Sequence, residues 1–137
     1  MPRLDWTVVR TAATAGLAVV IPAALLAELV MDEPGEGSGW ALLFFAVTLA
    51  GFGVAGFAAG RLRSDTPMAH GATAAGVTWA VVQVFGTVRR LLADEPVSWL
   101  AILFAAMLAV CAGVAGGAFA DWFRRRVEPR VTQRPTR

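Results

Sequence analysis

Four apolar runs, each about as long as a membrane-crossing helix, divide this chain at residues 8–30, 40–60, 68–88 and 97–120. About 20 apolar residues in a helix rising 1.5 Å each traverse the roughly 30 Å hydrocarbon core of a bilayer. The second and fourth runs carry no charge. The third holds Thr73, Thr78, Gln83 and Thr87 but no carboxylate or arginine, and Pro22 and Glu28 interrupt the first. A water-soluble four-helix bundle needs a polar face on every helix, and the second and fourth runs have none. The expected fold is therefore all-α, an integral membrane four-helix bundle. Residues 1–122 form its four-span domain. Residues 123–137, with six arginines, Pro129 and Pro135 and no apolar periodicity, are expected to be a disordered cytoplasmic tail.

Composition agrees. Of 137 residues, 57% are apolar and 16% charged, against about a quarter charged in soluble domains. A cleaved signal peptide is the rival reading of the first run. Against it stand an apolar stretch of signal-exceeding length, Asp5 at its start, and the lack of a small-x-small site before Glu28. The first run is expected to remain as a span.

All twelve basic residues are arginine. Arginine-rich flanks stay in the cytoplasm. Ten of the twelve fall in the N-terminal segment, in the loop between the second and third runs, and in the tail; only Arg89 and Arg90 fall on the other side. The expected location is the cell's inner (plasma) membrane, multi-pass, with both termini cytoplasmic. Trp6, Trp40, Trp99 and Trp122 stand near span ends, where indole prefers the interface. Arg89 and Arg90 are the exceptions. Two accounts are open: pairing with Glu28, Asp94 or Glu95, or reaching back to water.

The chain repeats at an offset of sixty. Between Ala41–Ala58 and Ala101–Ala118, nine of eighteen positions are identical, including a Gly-Val-Ala-Gly block. Asp-Glu-Pro occurs at both Asp32–Pro34 and Asp94–Pro96. The repeat predicts two tandem helical hairpins sharing one orientation, related by a pseudo-twofold axis along the membrane normal. Gly53, Gly56 and Gly60 in the second run, and Gly113 and Gly116 in the fourth, form small-residue faces of the kind that let helices pack closely in lipid. Those faces serve either contact between the two runs or a homo-oligomer. Gln83 is expected to make a polar interhelical contact, with a substrate contact as the alternative.

No ionisable group sits at the middle of a span, which argues against carboxylate-relay transport. One His and one Cys cannot form a zinc site. Gly51-x-Gly53-x-x-Gly56 spells a dinucleotide pattern but lacks the preceding strand. No catalytic residues, cofactor, metal or nucleic-acid partner are expected, and the chain is not expected to be an enzyme. The polar loop places Arg61, Arg63 and His70 close together in sequence. They are candidates for holding an anionic lipid head group or a partner's carboxylate; the simpler alternative is a topology-setting loop with an interfacial His.

Gly60-Arg61 followed by His70-Gly71-Ala72 resembles small bacterial four-span membrane proteins of unassigned function, over roughly residues 40–80. The resemblance implies the four-span fold and no activity. The expected function is that of a non-enzymatic scaffold or accessory subunit, packing or oligomerising through its glycine-rich faces, with lipid and a membrane protein or second copy as partners. The alternatives are a small homo-oligomeric transporter or channel, and a pore-forming or membrane-stress protein.

Overall fold

A computed structural model describes residues 4–30 and 39–127, apart from the Glu28 side chain. Among these residues there are four helices: α1 (Trp6–Val30), α2 (Gly39–Leu62), α3 (Pro67–Leu92) and α4 (Trp99–Val127). Each is long and apolar enough to cross a membrane. Their radial polarity is the reverse of a water-soluble bundle. Leu42, Leu100, Leu103, Val84 and Phe85 point outward, while the core is mostly alanine: Ala12, Ala13, Ala55, Ala59, Ala74, Ala75, Ala109 and Ala120. With lipid outside, large side chains lose nothing by facing out, and small ones let backbones approach.

Two helix ends differ from the sequence expectation. α4 continues through Val127, into the segment expected to be disordered tail. The cause is local: Asp121 bonds Arg124 and Arg125, three and four residues on, which neutralises part of the basic turn and supports the helix. The tail beyond Val127 lies outside the described residues. α3 continues past Val88 to Leu92, with Arg89 and Arg90 in its last turn, where cations favour the negative end of the helix dipole. It closes with the N–H of Glu95 on the Arg90 carbonyl at 2.9 Å and Asp94 at φ 54°, a left-handed cap. The expected pairing of either arginine with Glu28, and the Asp32–Pro34 loop, lie outside the described residues.

The helices form a ring in the order α1, α2, α4, α3, with α2 and α3 also touching across it. No Cα of α1 lies within 8 Å of one of α4 among the described residues. The expected twofold relation is therefore limited to one contact. Gly56 lies against Gly113, and Gly116 against Gly53; these pairs exchange under the sixty-residue offset. The outer helices do not exchange. Only residues 63–66 join α2 to α3, and so short a connection makes them antiparallel neighbours. α3 seats against α4 as well, whereas α1 packs on α2 and α3 only.

Two glycine-centred nodes hold the ring. At the first, a Cβ on Gly56 would lie 2.2 Å from the Gly113 carbonyl oxygen, and one on Gly71 would lie 2.6 Å from the same oxygen. Three backbones, of α2, α3 and α4, meet there. At the second, a Cβ on Gly16 of α1 would lie 2.8 Å from Ala55 Cβ and 3.0 Å from Thr78 Oγ1, joining α1, α2 and α3. α2 and α3 share both nodes, which is why they span the short diagonal.

Gly76 and Gly86 of α3 instead face open space. Gly56→Ala should lose about 2 kcal/mol or more, since the atom it meets is backbone and cannot rotate away. Gly76→Ala and Gly86→Ala should change stability by less than about 1 kcal/mol, in the stabilising direction. Denaturant titration of the detergent-solubilised protein separates these outcomes, and equal losses at all three positions would contradict the node.

Candidate functional site

A cluster of polar contacts lies at the arginine-rich end, and it begins with α1. Asp5 stands just before the first helical residue, and its Oδ1 accepts the backbone N–H of Thr7 at 3.0 Å and of Val8 at 3.5 Å. This is an N-cap, a carboxylate satisfying the otherwise unpaired first amides. The backbone N–H of Asp5 donates to His70 Nε2 at 3.0 Å. An acceptor at Nε2 places the proton of the neutral ring on Nδ1, which lies 3.0 Å from the Thr66 carbonyl and 2.8 Å from Thr66 Oγ1. Thr66 occupies the N-cap position of α3, but its side chain does not cap that helix; it contacts His70 instead. His70 is buried, at 1% exposure.

Arg63 completes this cluster. Its Nε lies 3.9 Å from Asp5 Oδ2 and 3.8 Å from Asp65 Oδ1. These are ion pairs without hydrogen bonds, half-exposed, and worth about 0–1 kcal/mol each. His70 and Arg63 thus converge on Asp5, a carboxylate of this chain itself. Arg61 does not join them. Its guanidinium carbon lies 5.9 Å from the ring centres of both Phe57 and Phe123, on the side of the bundle formed by α2 and α4. The three residues grouped by sequence do not make one anion site. In the sequence, Asp5 counts only as an argument against a signal peptide. A carboxylate directly ahead of an apolar run is an N-cap signal, and that signal marks the residue.

Around Arg61 lies an aromatic shelf. Phe57 meets Phe119 at 5.9 Å, Phe119 stacks on Trp122 at 5.4 Å, and Arg126 lies 4.2 Å over Trp122. Asp121 is bonded by both Arg124 and Arg125. A pocket of about 280 Å³ is lined by Arg61, Phe123, Arg124 and Val127.

Inside the bundle, the polar link between helices is made by Thr78. Its hydroxyl lies 2.9 Å from the Ala74 carbonyl of its own helix and 3.3 Å from the Ala13 carbonyl of α1. Gln83, expected in that role, donates to Thr87 of its own helix at 3.1 Å. The Asp5–His70 and Ala13–Thr78 links both join residues 65 apart, as parallel helices in register require. His70, Ala74 and Thr78 recur every fourth residue, one face of α3, and that periodicity was the available signal for Thr78. Trp79 packs against the Val20, Phe52, Ala75 and Ala109 cluster, with its indole N–H unpartnered. Among the described residues, no group of three His, Cys, Asp or Glu side chains is placed to hold a metal ion.

No protein family, curated protein or solved structure matches the chain.

His70→Ala should leave the Asp5 amide without its acceptor and a void beside α1. The expected loss is about 2–3 kcal/mol, with faster hydrogen exchange confined to the first turns of α1. Unchanged exchange there would show that His70 does not tether that end.

Proposed function

We propose that this protein is a non-enzymatic membrane scaffold or accessory subunit. In this reading it sits in the plasma membrane with both ends cytoplasmic, and acts by packing against other membrane proteins or copies of itself. One observation carries the proposal: the middle of the bundle is filled by the backbones of α2, α3 and α4 meeting at Gly56, Gly71 and Gly113. A translocation path needs polar groups turned toward water. The candidates for such a lining, Thr73, Gln83 and Thr87, bond within α3: Thr73 to the Ala69 carbonyl and Gln83 to Thr87. What the protein offers is its exterior, broad and apolar.

Cys111 lies exposed on α4 and supplies the test. A permeant bifunctional thiol reagent, applied to native membranes, should trap a discrete dimer or a defined second protein. Proteoliposomes should show no solute or ion flux above empty vesicles. A chain that remains monomeric, alone and flux-competent would overturn the proposal.

A further inference from the structure

The sixty-residue repeat shows where the bundle is incomplete. α4 receives α3 along Ala109, Gly113 and Gly117. Ala109 clusters with Ala75 of α3, a Cβ on Gly113 would lie 2.5 Å from the Gly71 carbonyl oxygen, and one on Gly117 would lie 2.5 Å from the Pro67 carbonyl oxygen. The equivalent stripe on α2 is Leu49, Gly53 and Phe57. α4 borders it through Gly116 and Phe119, but among the described residues α1 does not occupy it as α3 occupies the stripe on α4. The α2 stripe lines an open apolar groove of about 610 Å³ between α2 and α4, with Ala46, Ala50, Ala115, Gly116 and Phe119 among the other walls. The groove is the repeat-equivalent of a helix seat, but two of its three small positions have become Leu49 and Phe57. Those side chains hold a helix backbone away. A flexible chain can follow the space they leave.

Depth and charge say what that chain belongs to. On α2 the groove runs along the middle of the helix from Ala46 to Phe57, about 17 Å at 1.5 Å per residue, long enough for an acyl chain that fills a leaflet of about 15 Å. One helical turn past its end, the contacts continue without a break: Phe57 to Arg61, and Phe119 to Phe123. Arg61, Phe123 and Arg124 then line the basic pocket. Of its two arginines, Arg124 is bonded to Asp121, whereas no carboxylate among the described residues pairs with Arg61. An apolar slot of acyl-chain length, with Arg61 one turn beyond its end and paired to no described carboxylate, has the chemistry of an anionic phospholipid. We propose that the groove between α2 and α4 holds an acyl chain of such a lipid, with its phosphate on Arg61 and Arg124. This assignment is independent of the scaffold reading.

The test uses the full chain in vesicles of phosphatidylcholine with a minor fraction of phosphatidylglycerol, extracted into detergent, with retained lipid read by native mass spectrometry. The wild type should retain phosphatidylglycerol in preference to phosphatidylcholine. Arg61→Gln should reduce that preference about fivefold, the factor one basic residue near the surface contributes. Arg90→Gln, at the far end, should leave it intact. Ala50→Phe and Ala115→Leu point into the groove and should each lower retention of both lipids while the protein stays helical. Inorganic phosphate alone should not displace the lipid. Equal retention of the two lipids by the wild type would overturn the assignment. So would an equal loss in Arg90→Gln, which would mark a general surface-charge effect. A crosslinked dimer abolished by Ala50→Phe with lipid preference unchanged would give the groove to a second copy instead.

Discussion

Where α2, α3 and α4 cross, backbone meets backbone with no side chain between. A single carbonyl oxygen, that of Gly113, lies where Cβ atoms of both Gly56 and Gly71 would fall. In a lipid solvent, burial of apolar area does not drive helices together, because the tails outside are as apolar as the helix. What remains is close dispersion contact and weak Cα–H donation to carbonyls, and both fall away steeply with distance. Three glycines at one point therefore set the spacing of three helices, and the alanines around them follow from it.

That node also explains why a repeated sequence gives an unequal bundle. The contact between α2 and α4 respects the repeat, since Gly56–Gly113 and Gly116–Gly53 exchange under it. Two local facts break it for the outer helices. The connection at residues 63–66 holds α3 beside α2. The seat on α2 that α1 would need carries Leu49 and Phe57 where its counterpart on α4 carries Ala109 and Gly117. α1 packs instead through Gly16 and Val20 against Ala55 and Gly51. A few changes in side-chain volume are thus enough to turn a twofold design into a three-helix core with one helix on its flank.

Much of this was legible in the sequence, because the lipid constraint is severe. A charge-free run of twenty apolar residues has few folds open to it, and all four runs are helices. The glycines of α2 and α4 were legible as faces, but their assignment within the bundle was not: Gly71, read only as part of a His-Gly-Ala motif, proves to be the third member of the node. Polar residues were the least legible. Gln83 has an amide that must bond somewhere, and periodicity cannot say that Thr87, one turn on, is nearer than another helix. Arg61 and Arg63 are adjacent but one in sequence, yet on a helix end two residues differ by about 200° in direction. One turns to Asp5, the other to Phe57 and Phe123. Sequence proximity at a helix terminus is a poor guide to a shared site for that reason.

The two polar clusters at the arginine-rich end follow from the same geometry and differ in kind. Around His70 the polar groups meet partners of this chain: a carboxylate caps α1, its amide meets the imidazole, the imidazole meets Thr66, and Arg63 stands in ion-pair range of Asp5 and Asp65 without a hydrogen bond at Nε. That cluster is closed, and its effect is to fix the ends of α1 and α3 at one level. Around Arg61 the partners are aromatic faces, which attract a cation without neutralising it. Asp121 is shared by two arginines and leaves an excess of positive charge. A closed cluster stabilises structure, whereas an open one of single sign keeps a field that acts on whatever anion lies at the interface. Arginine counts at the ends of spans are usually read for topology alone; here their placement over Phe57, Phe123 and Trp122 orders those charges at the mouth of an apolar groove, and it is this ordering that gives them a chemical use beyond orientation.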